Sequence, residues 1–202
     1  MIGVHEGHSG GSRDEVTDAV LRVRAGEPAA AALLDALVRP RLTRYFASGP
    51  WPADEAEDLV QKTLGRVFHG VERLEHPERF LPWLFAIARN VRATAAGRWR
   101  ARAQVEAGGL ELAREPPAPR EDARQEEDEL RAQREAALSV ALGHLPARQR
   151  QCLLLHVREE MSYEEIAATL RLSAHTVRNH IAQAKESLRR LVGTTRDGAA
   201  RR

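Results

Sequence analysis

The chain has 202 residues, 43% apolar and 30% charged, with 31 Lys and Arg against 29 Asp and Glu for a formal charge of +2. This composition fits one medium or two small globular domains and excludes a wholly disordered chain, while the near-neutral charge gives no hint of a nucleic-acid partner. A single cysteine, Cys152, excludes an internal disulfide framework and a Cys-rich zinc site, and no apolar run nears the ~20 residues of a bilayer span.

Residues 1–13 are Gly- and His-rich, lack the apolar segment of a secretory signal and read as a flexible tail of a cytoplasmic protein. Aromatics are scarce at 4%, so any core is mostly Leu, Val, Ile and Ala, which favours helices. Residues 14–103 read as one helical domain with a Gly/Pro-rich break at 48–52. Leu33, Leu34, Leu37 and Val38 form an apolar stripe, and Pro40 predicts a kink or a new helix start. The spacing of Ala56, Leu59, Val60, Thr63, Leu64, Val67 and Phe68 predicts a helix over Asp54–His69, with Asp54, Glu55, Glu57 and Asp58 at the positive end of its dipole. A second helix is predicted from about Pro82 to Ala96, with Phe80, Trp83, Leu84, Ile87 and Val91 facing one way and Arg89 and Arg92 another.

Residues 104–135 differ in kind. Pro116, Pro117 and Pro119 forbid a continuous helix, and 121–129 is dense in acid. The stretch reads as a flexible acidic linker, with an extension of the next helix as the alternative for its second half. Residues 136–192 return to a helical pattern. Leu145 and Pro146 start a helix with proline in its first turn, and Cys152, Leu153, Leu155 and Val157 supply apolar surface. Ser162 and Glu165 have the spacing of a capping box before a short helix, Tyr163–Leu170. The turn Arg171, Leu172, Ser173 follows, with Ser173 as cap, then a longer helix over Ala174–Leu191 and a basic tail over 193–202. The predicted fold is all-α: two small helical domains joined by a flexible acidic linker.

Taken by segment, the charge balance disappears. Residues 1–103 carry 15 basic and 13 acidic side chains, 104–135 carry 5 and 10, and 136–202 carry 11 and 6. No acid lies between Glu78 and Glu106, a stretch that holds Arg79, Arg89, Arg92, Arg98, Arg100 and Arg102 with Phe80, Trp83, Phe85 and Trp99 among them. Arginines attract phosphates, and aromatic faces stack unpaired bases. At helical spacing, Phe80, Trp83 and Phe85 are expected in the core, whereas Trp99 sits off the apolar stripe among arginines.

A short helix, a three-residue turn and a longer helix have the form of a helix-turn-helix. Ile166, Ala167 and Leu170 would pack the first helix, and Leu172, Val177 and Ile181 the second. The outer face of the second offers His175, Thr176, Arg178, Asn179, Gln183 and Lys185, side chains able to grip phosphates or read base edges in a major groove.

These blocks together resemble a sigma factor of the sigma-70 family, of the extracytoplasmic-function (ECF) type. Residues 56–68 resemble region 2.2, 80–90 resemble region 2.3, 91–102 sit where region 2.4 would be, and 145–150 with 162–167 resemble region 4. Nothing in the linker resembles the region 3 domain that this small subclass lacks. The resemblance implies binding to core RNA polymerase and promoter-specific initiation of transcription. Asp54, Glu57, Asp58 and Gln61 would dock on the polymerase. Arg89, Asn90, Arg92, Arg98, Trp99 and Arg100 would engage and help melt the −10 element, and His175, Thr176, Arg178, Asn179, Gln183 and Lys185 would contact the −35 element. An anti-sigma factor is a further implied partner. The sequence departs from the family pattern at Thr94, Ala95, Ala96 and Gly97 in region 2.4 and at His175, His180 and Gln183 in the recognition helix. Asn179 and Gln183 each have the amide that can read adenine.

Two other readings compete: a helix-turn-helix regulator acting without polymerase, and a sigma-like protein that only sequesters a partner. An enzyme is not expected, since no Gly-rich phosphate loop, paired catalytic carboxylates or nucleophile arrangement is present. Cys152 and His156 are four residues apart, but two ligands make no metal site, and no cofactor or metal is expected.

Overall fold

The computed structural model describes residues 12–49, 51–105, 138 and 140–199, with side chains except at 99–105 and 192–199. Among the described residues the structure is helical and contains no strand, as the composition predicts. Most of the linker, 106–135, lies outside the described residues, as do 1–11 and 200–202. Of the described residues, those up to 105 together with 167–172 make one compact unit, and 138–166 with 173–199 make a second.

In the first unit, α1 (Arg13–Arg24) opens on a capping box: Glu15 N–H donates to Ser12 Oγ at 3.2 Å, and Ser12 N–H donates to Glu15 Oε2 at 2.7 Å. Ser12 and Arg13 therefore belong to the helix and not to the expected flexible tail. Gly26, at φ 75°, reverses the chain after α1, and Glu27 N–H bonds back to the Arg22 carbonyl at 3.1 Å.

The second helix, α2 (Ala30–Ala47), runs through Pro40, where the sequence predicted a kink or restart. Proline inside a helix costs about 3 kcal/mol or more. Leu34 and Val38 before it and Leu42, Tyr45 and Phe46 after it are all buried on one continuous stripe, and each is worth roughly 1.5–3 kcal/mol. That burial outweighs one lost hydrogen bond. The break expected at 48–52 is present, with Ser48 closing α2 and Trp51 buried. Gly49 is required there, because a Cβ would stand 2.4 Å from Trp51 Nε1.

Next, α3 (Ala53–Gly70) buries Ala56, Leu59, Val60, Thr63, Leu64 and Val67, the predicted face, with Phe68 half-buried at its edge. Two short 3₁₀ turns, Val71–Arg73 and Pro77–Arg79, lead into α4 (Phe80–Val105). Its helix continues past the predicted end at Ala96 and through Gly97. Its buried face is Phe80, Leu81, Leu84, Phe85, Ala88 and Val91. Trp83 and Ile87, predicted on that face, are only half-buried, so the helix is rotated from the expected setting.

In the second unit, α5 (Ala147–Val157) starts after Pro146, which serves as its cap and not as a first-turn residue. Cys152, Leu153 and Leu155 are buried as predicted, but Val157 is 56% exposed at the helix end. Then come α6 (Tyr163–Leu170), and α7 (Ala174–Ala199), which continues beyond Leu191 into the predicted tail. Among the described residues no helix is long and apolar enough to cross a membrane.

Candidate nucleic-acid interface

On α3 the exposed face presents Asp54, Glu57, Asp58 and Gln61 at helical spacing, opposite its apolar stripe. Its charge is partly matched. Arg39 on α2 forks onto Asp35 at 2.9 and 3.0 Å and reaches Glu57 at 3.2 Å. The hydrogen bonds to Asp35 hold the Arg39 guanidinium more firmly protonated than usual. Gln61 donates to Glu57 Oε1 at 3.0 Å, and Lys62 pairs with Asp58. Asp54 keeps an exposed carboxylate in the first turn. The result is an acidic ridge in which Glu57, Asp58 and Gln61 have fixed neighbours.

On α4 the outward line is Asn90, Thr94 and Arg98, four residues apart, with Ala93 and Gly97 beside it. Arg89 is half-buried and donates to the Asn90 side-chain oxygen, while Thr94 Oγ1 donates to the Asn90 carbonyl at 3.0 Å. Arg92 departs from its predicted outward setting. On a 3.6-residue wheel it falls between Leu81 and Phe85, on the core side. Its guanidinium carbon lies 5.8 Å from the Tyr45 ring centroid, and Tyr45 in turn meets Phe46 and Phe85 at 5.2 and 5.4 Å. Phe80 and Phe85 are core as expected, and Trp83 tilts against Phe80 at 5.8 Å and crowds Gly70. Trp99 and Arg100 are on the helix, but their side chains lie outside the described residues. Thus Asn90 and Arg98 share one exposed face, Arg89 flanks it, and Arg92 is turned toward the core.

The predicted helix-turn-helix is formed by α6, the turn 171–173 and α7. Ser162 and Glu165 form the capping box, with Ser162 N–H donating to Glu165 Oε2 at 2.8 Å and Glu165 N–H donating to Ser162 Oγ at 3.1 Å. At the turn Arg171 takes φ 55°, and Leu172 N–H bonds to the Ala167 carbonyl at 2.9 Å, a left-handed closure more often given to glycine. Ser173 caps α7 by accepting from Thr176 N–H at 3.0 Å, with the Thr176 hydroxyl 2.8 Å away.

Ile166, Ala167, Leu170, Val177, Ile181 and Ala184 are buried, and Leu172 is half-buried. His175, Arg178, Asn179, Gln183 and Lys185 are exposed, and Thr176 is half-buried by its capping role. Asn179 Nδ2 and His175 Nε2 are 3.1 Å apart, one turn apart on the same face. Gln149 on α5 donates to Gln183 Oε1 at 3.0 Å, which fixes the amide of Gln183. Tyr163 meets both His156, at 4.9 Å between centroids, and the Arg178 guanidinium, 5.7 Å from its ring. Gln149, Tyr163 and Tyr45 were not legible as supports in the sequence, because their contacts to Gln183, Arg178 and Arg92 span 34, 15 and 47 positions.

Cys152 is a free, fully buried thiol, and burial pushes it up to about 11 against a small opposing pull from Arg148. His156 is committed elsewhere, its Nδ1 3.0 Å from the Met161 carbonyl oxygen. Among the described residues no group of three His, Cys, Asp or Glu side chains could hold a metal ion.

Comparison with known proteins assigns both units. Residues 35–103 match the family model for sigma-70 region 2, and 135–188 match that for sigma-70, region 4. The ECF RNA polymerase sigma factor SigE of Mycolicibacterium smegmatis is 35% identical over 181 residues, covering 87% of this chain and 68% of that protein. The ECF RNA polymerase sigma factor EcfG of Rhodopseudomonas palustris is 31% identical over 153 residues, 76% of this chain and 80% of that one. Among solved structures, the sigma factor RpoE of Bartonella quintana, in complex with the anti-sigma factor NepR, superposes with a TM-score of 0.62 at 26% identity over 79% of this chain and 94% of that one. The α1 helix precedes the region 2 match, yet Val16, Ala19 and Val20 are buried in the first unit.

Proposed function

The chain belongs to the ECF branch of the sigma-70 family, whose members direct RNA polymerase to initiate transcription, and on that premise we propose how its surfaces divide the task. The region 2-like domain, 14–103, binds core polymerase through the acidic ridge of Asp54, Glu57, Asp58 and Gln61. The outward line of α4, Asn90, Thr94 and Arg98 with Arg89 beside it, meets the −10 element, and Trp99 and Arg100 are assigned to the same element from their place in the sequence. Melting a step costs a few kcal/mol of lost stacking, which contacts to the extruded bases and their phosphates offset. The region 4-like domain, 136–192, places α7 on the −35 element, and the acidic linker 104–135 avoids DNA. An anti-sigma factor is a further partner, supported by the RpoE–NepR likeness.

One observation carries this reading. The capped α7 buries Val177, Ile181 and Ala184 and leaves His175, Arg178, Asn179, Gln183 and Lys185 exposed at the spacing of one groove-facing surface. Replacing Arg178 and Lys185 by Ala is expected to weaken holoenzyme binding to upstream DNA and to flatten its log–log salt dependence by about 2, near 0.9 for each phosphate no longer neutralised. An unchanged slope would count against α7 as the contacting helix.

A further inference from the structure

We propose that Tyr163 is a positioning residue for promoter recognition, its ring holding Arg178 in the orientation that meets the upstream DNA. The proposal rests on the reading of α7 as the −35 contact and deepens it.

Tyr163 opens α6 immediately after the Ser162 cap, so the backbone that carries its ring is fixed by the capping box. The ring is half-buried. The His156 imidazole meets it, tilted 46° at 4.9 Å and anchored by its contact to the Met161 carbonyl. The Arg178 guanidinium lies over the ring, its carbon 5.7 Å from the centroid. Arg178 is exposed, and among the described residues no carboxylate pairs with it, so the ring is the contact that organises it.

An arginine free in solvent samples many rotamers and loses that freedom on binding. A guanidinium face resting on an aromatic ring is already restricted, while its N–H groups stay in plane and available to a phosphate or to a guanine edge. Side chains from α5, α6 and α7 thereby meet at one ring, with His156 and Arg178 each in contact with Tyr163. The aromatic body of Tyr163 is what this function needs, and its hydroxyl is dispensable.

The test is a double-mutant cycle on full-length protein bound to core polymerase. The probe is a duplex selected by the wild-type holoenzyme from a pool randomised upstream of the start site. Tyr163→Phe is expected to bind as the wild type does. Tyr163→Leu is expected to lose about twofold to fivefold in affinity, the range of an exposed cation–π contact. In an Arg178→Ala background the same Tyr163→Leu change is expected to add nothing. An equal loss in both backgrounds would overturn the proposal, since Tyr163 would then act on DNA or on the fold independently of Arg178. If Arg178→Ala alone leaves binding unchanged, the −35 reading falls and the proposal with it, whereas a loss without coupling removes the proposal only. Should Tyr163→Leu fail to fold, the wild-type protein still decides. Ring-current-shifted side-chain proton resonances of Arg178 are expected, and resonances at ordinary positions would overturn the contact.

Discussion

Arg92 and Arg98 are six residues apart on one helix and do different work. Arg92 lies over Tyr45 and is half-buried, while Arg98 is exposed on the outward line of α4. Replacing Arg92 by Ala removes a cation–π contact and the packing of the arginine stem, and is expected to lower stability by about 1 kcal/mol. Replacing Arg98 by Ala is expected to leave stability within about 0.5 kcal/mol and to reduce promoter opening. Urea unfolding and permanganate footprinting of the two variants separate these effects, and the reverse pattern would show the roles to be exchanged. The basic run was legible in the sequence, but which arginine turns inward depends on the setting of α4 against α2, which no local pattern encodes.

Cys152 adds a pH dependence. With its thiol pushed up to about 11 by burial, only ~0.1% is ionised at pH 8, against roughly a quarter of an ordinary cysteine. The folded state then holds a proton that the unfolded chain has released, so stability is full below ~8.5 and falls as pH rises from there toward about 11. Slow alkylation of the native protein at pH 8 and fast alkylation in urea are expected, and Cys152→Ala is expected to flatten the alkaline fall. Rapid native alkylation would contradict the burial.

At the scale of elements, the signals that proved readable are those written in adjacent residues. Both serine caps of the helix-turn-helix, Ser162 and Ser173, and the apolar face of α3 follow from spacing alone. Predictions that depended on tertiary contacts differed from the structure. Pro40 starts no new helix, because apolar burial continues on both sides of it, and α4 is rotated so that Trp83 and Ile87, expected on its core face, lie at the margin. Gly97 did not end α4 either, and its position is exposed with nothing within 4 Å of an added Cβ. Gly97→Ala is therefore expected to raise stability by up to ~1 kcal/mol, read as a higher urea midpoint, because alanine restricts the unfolded chain without meeting a neighbour. A lower midpoint would mean that the glycine has a packing role that the exposed setting does not show.

For the whole molecule, a formal charge of +2 conceals a division of labour. The acid-free run from Arg79 to Val105 and the 11 basic residues of 136–202 are offset by ten acids in the linker between them. Both domain types were legible because each carries its own blocks of spaced residues. The supports of the contact surfaces, Tyr45, Tyr163 and Gln149, were not, because each acts on a residue from another helix. The central claim is that this chain makes core RNA polymerase choose promoters. Run-off transcription of a template library randomised upstream of the start site, with purified protein and core polymerase, tests it most directly. Transcripts that require both components and share a spaced pair of upstream elements are the predicted result. No transcript from any template, or the same starts with core polymerase alone, would contradict it.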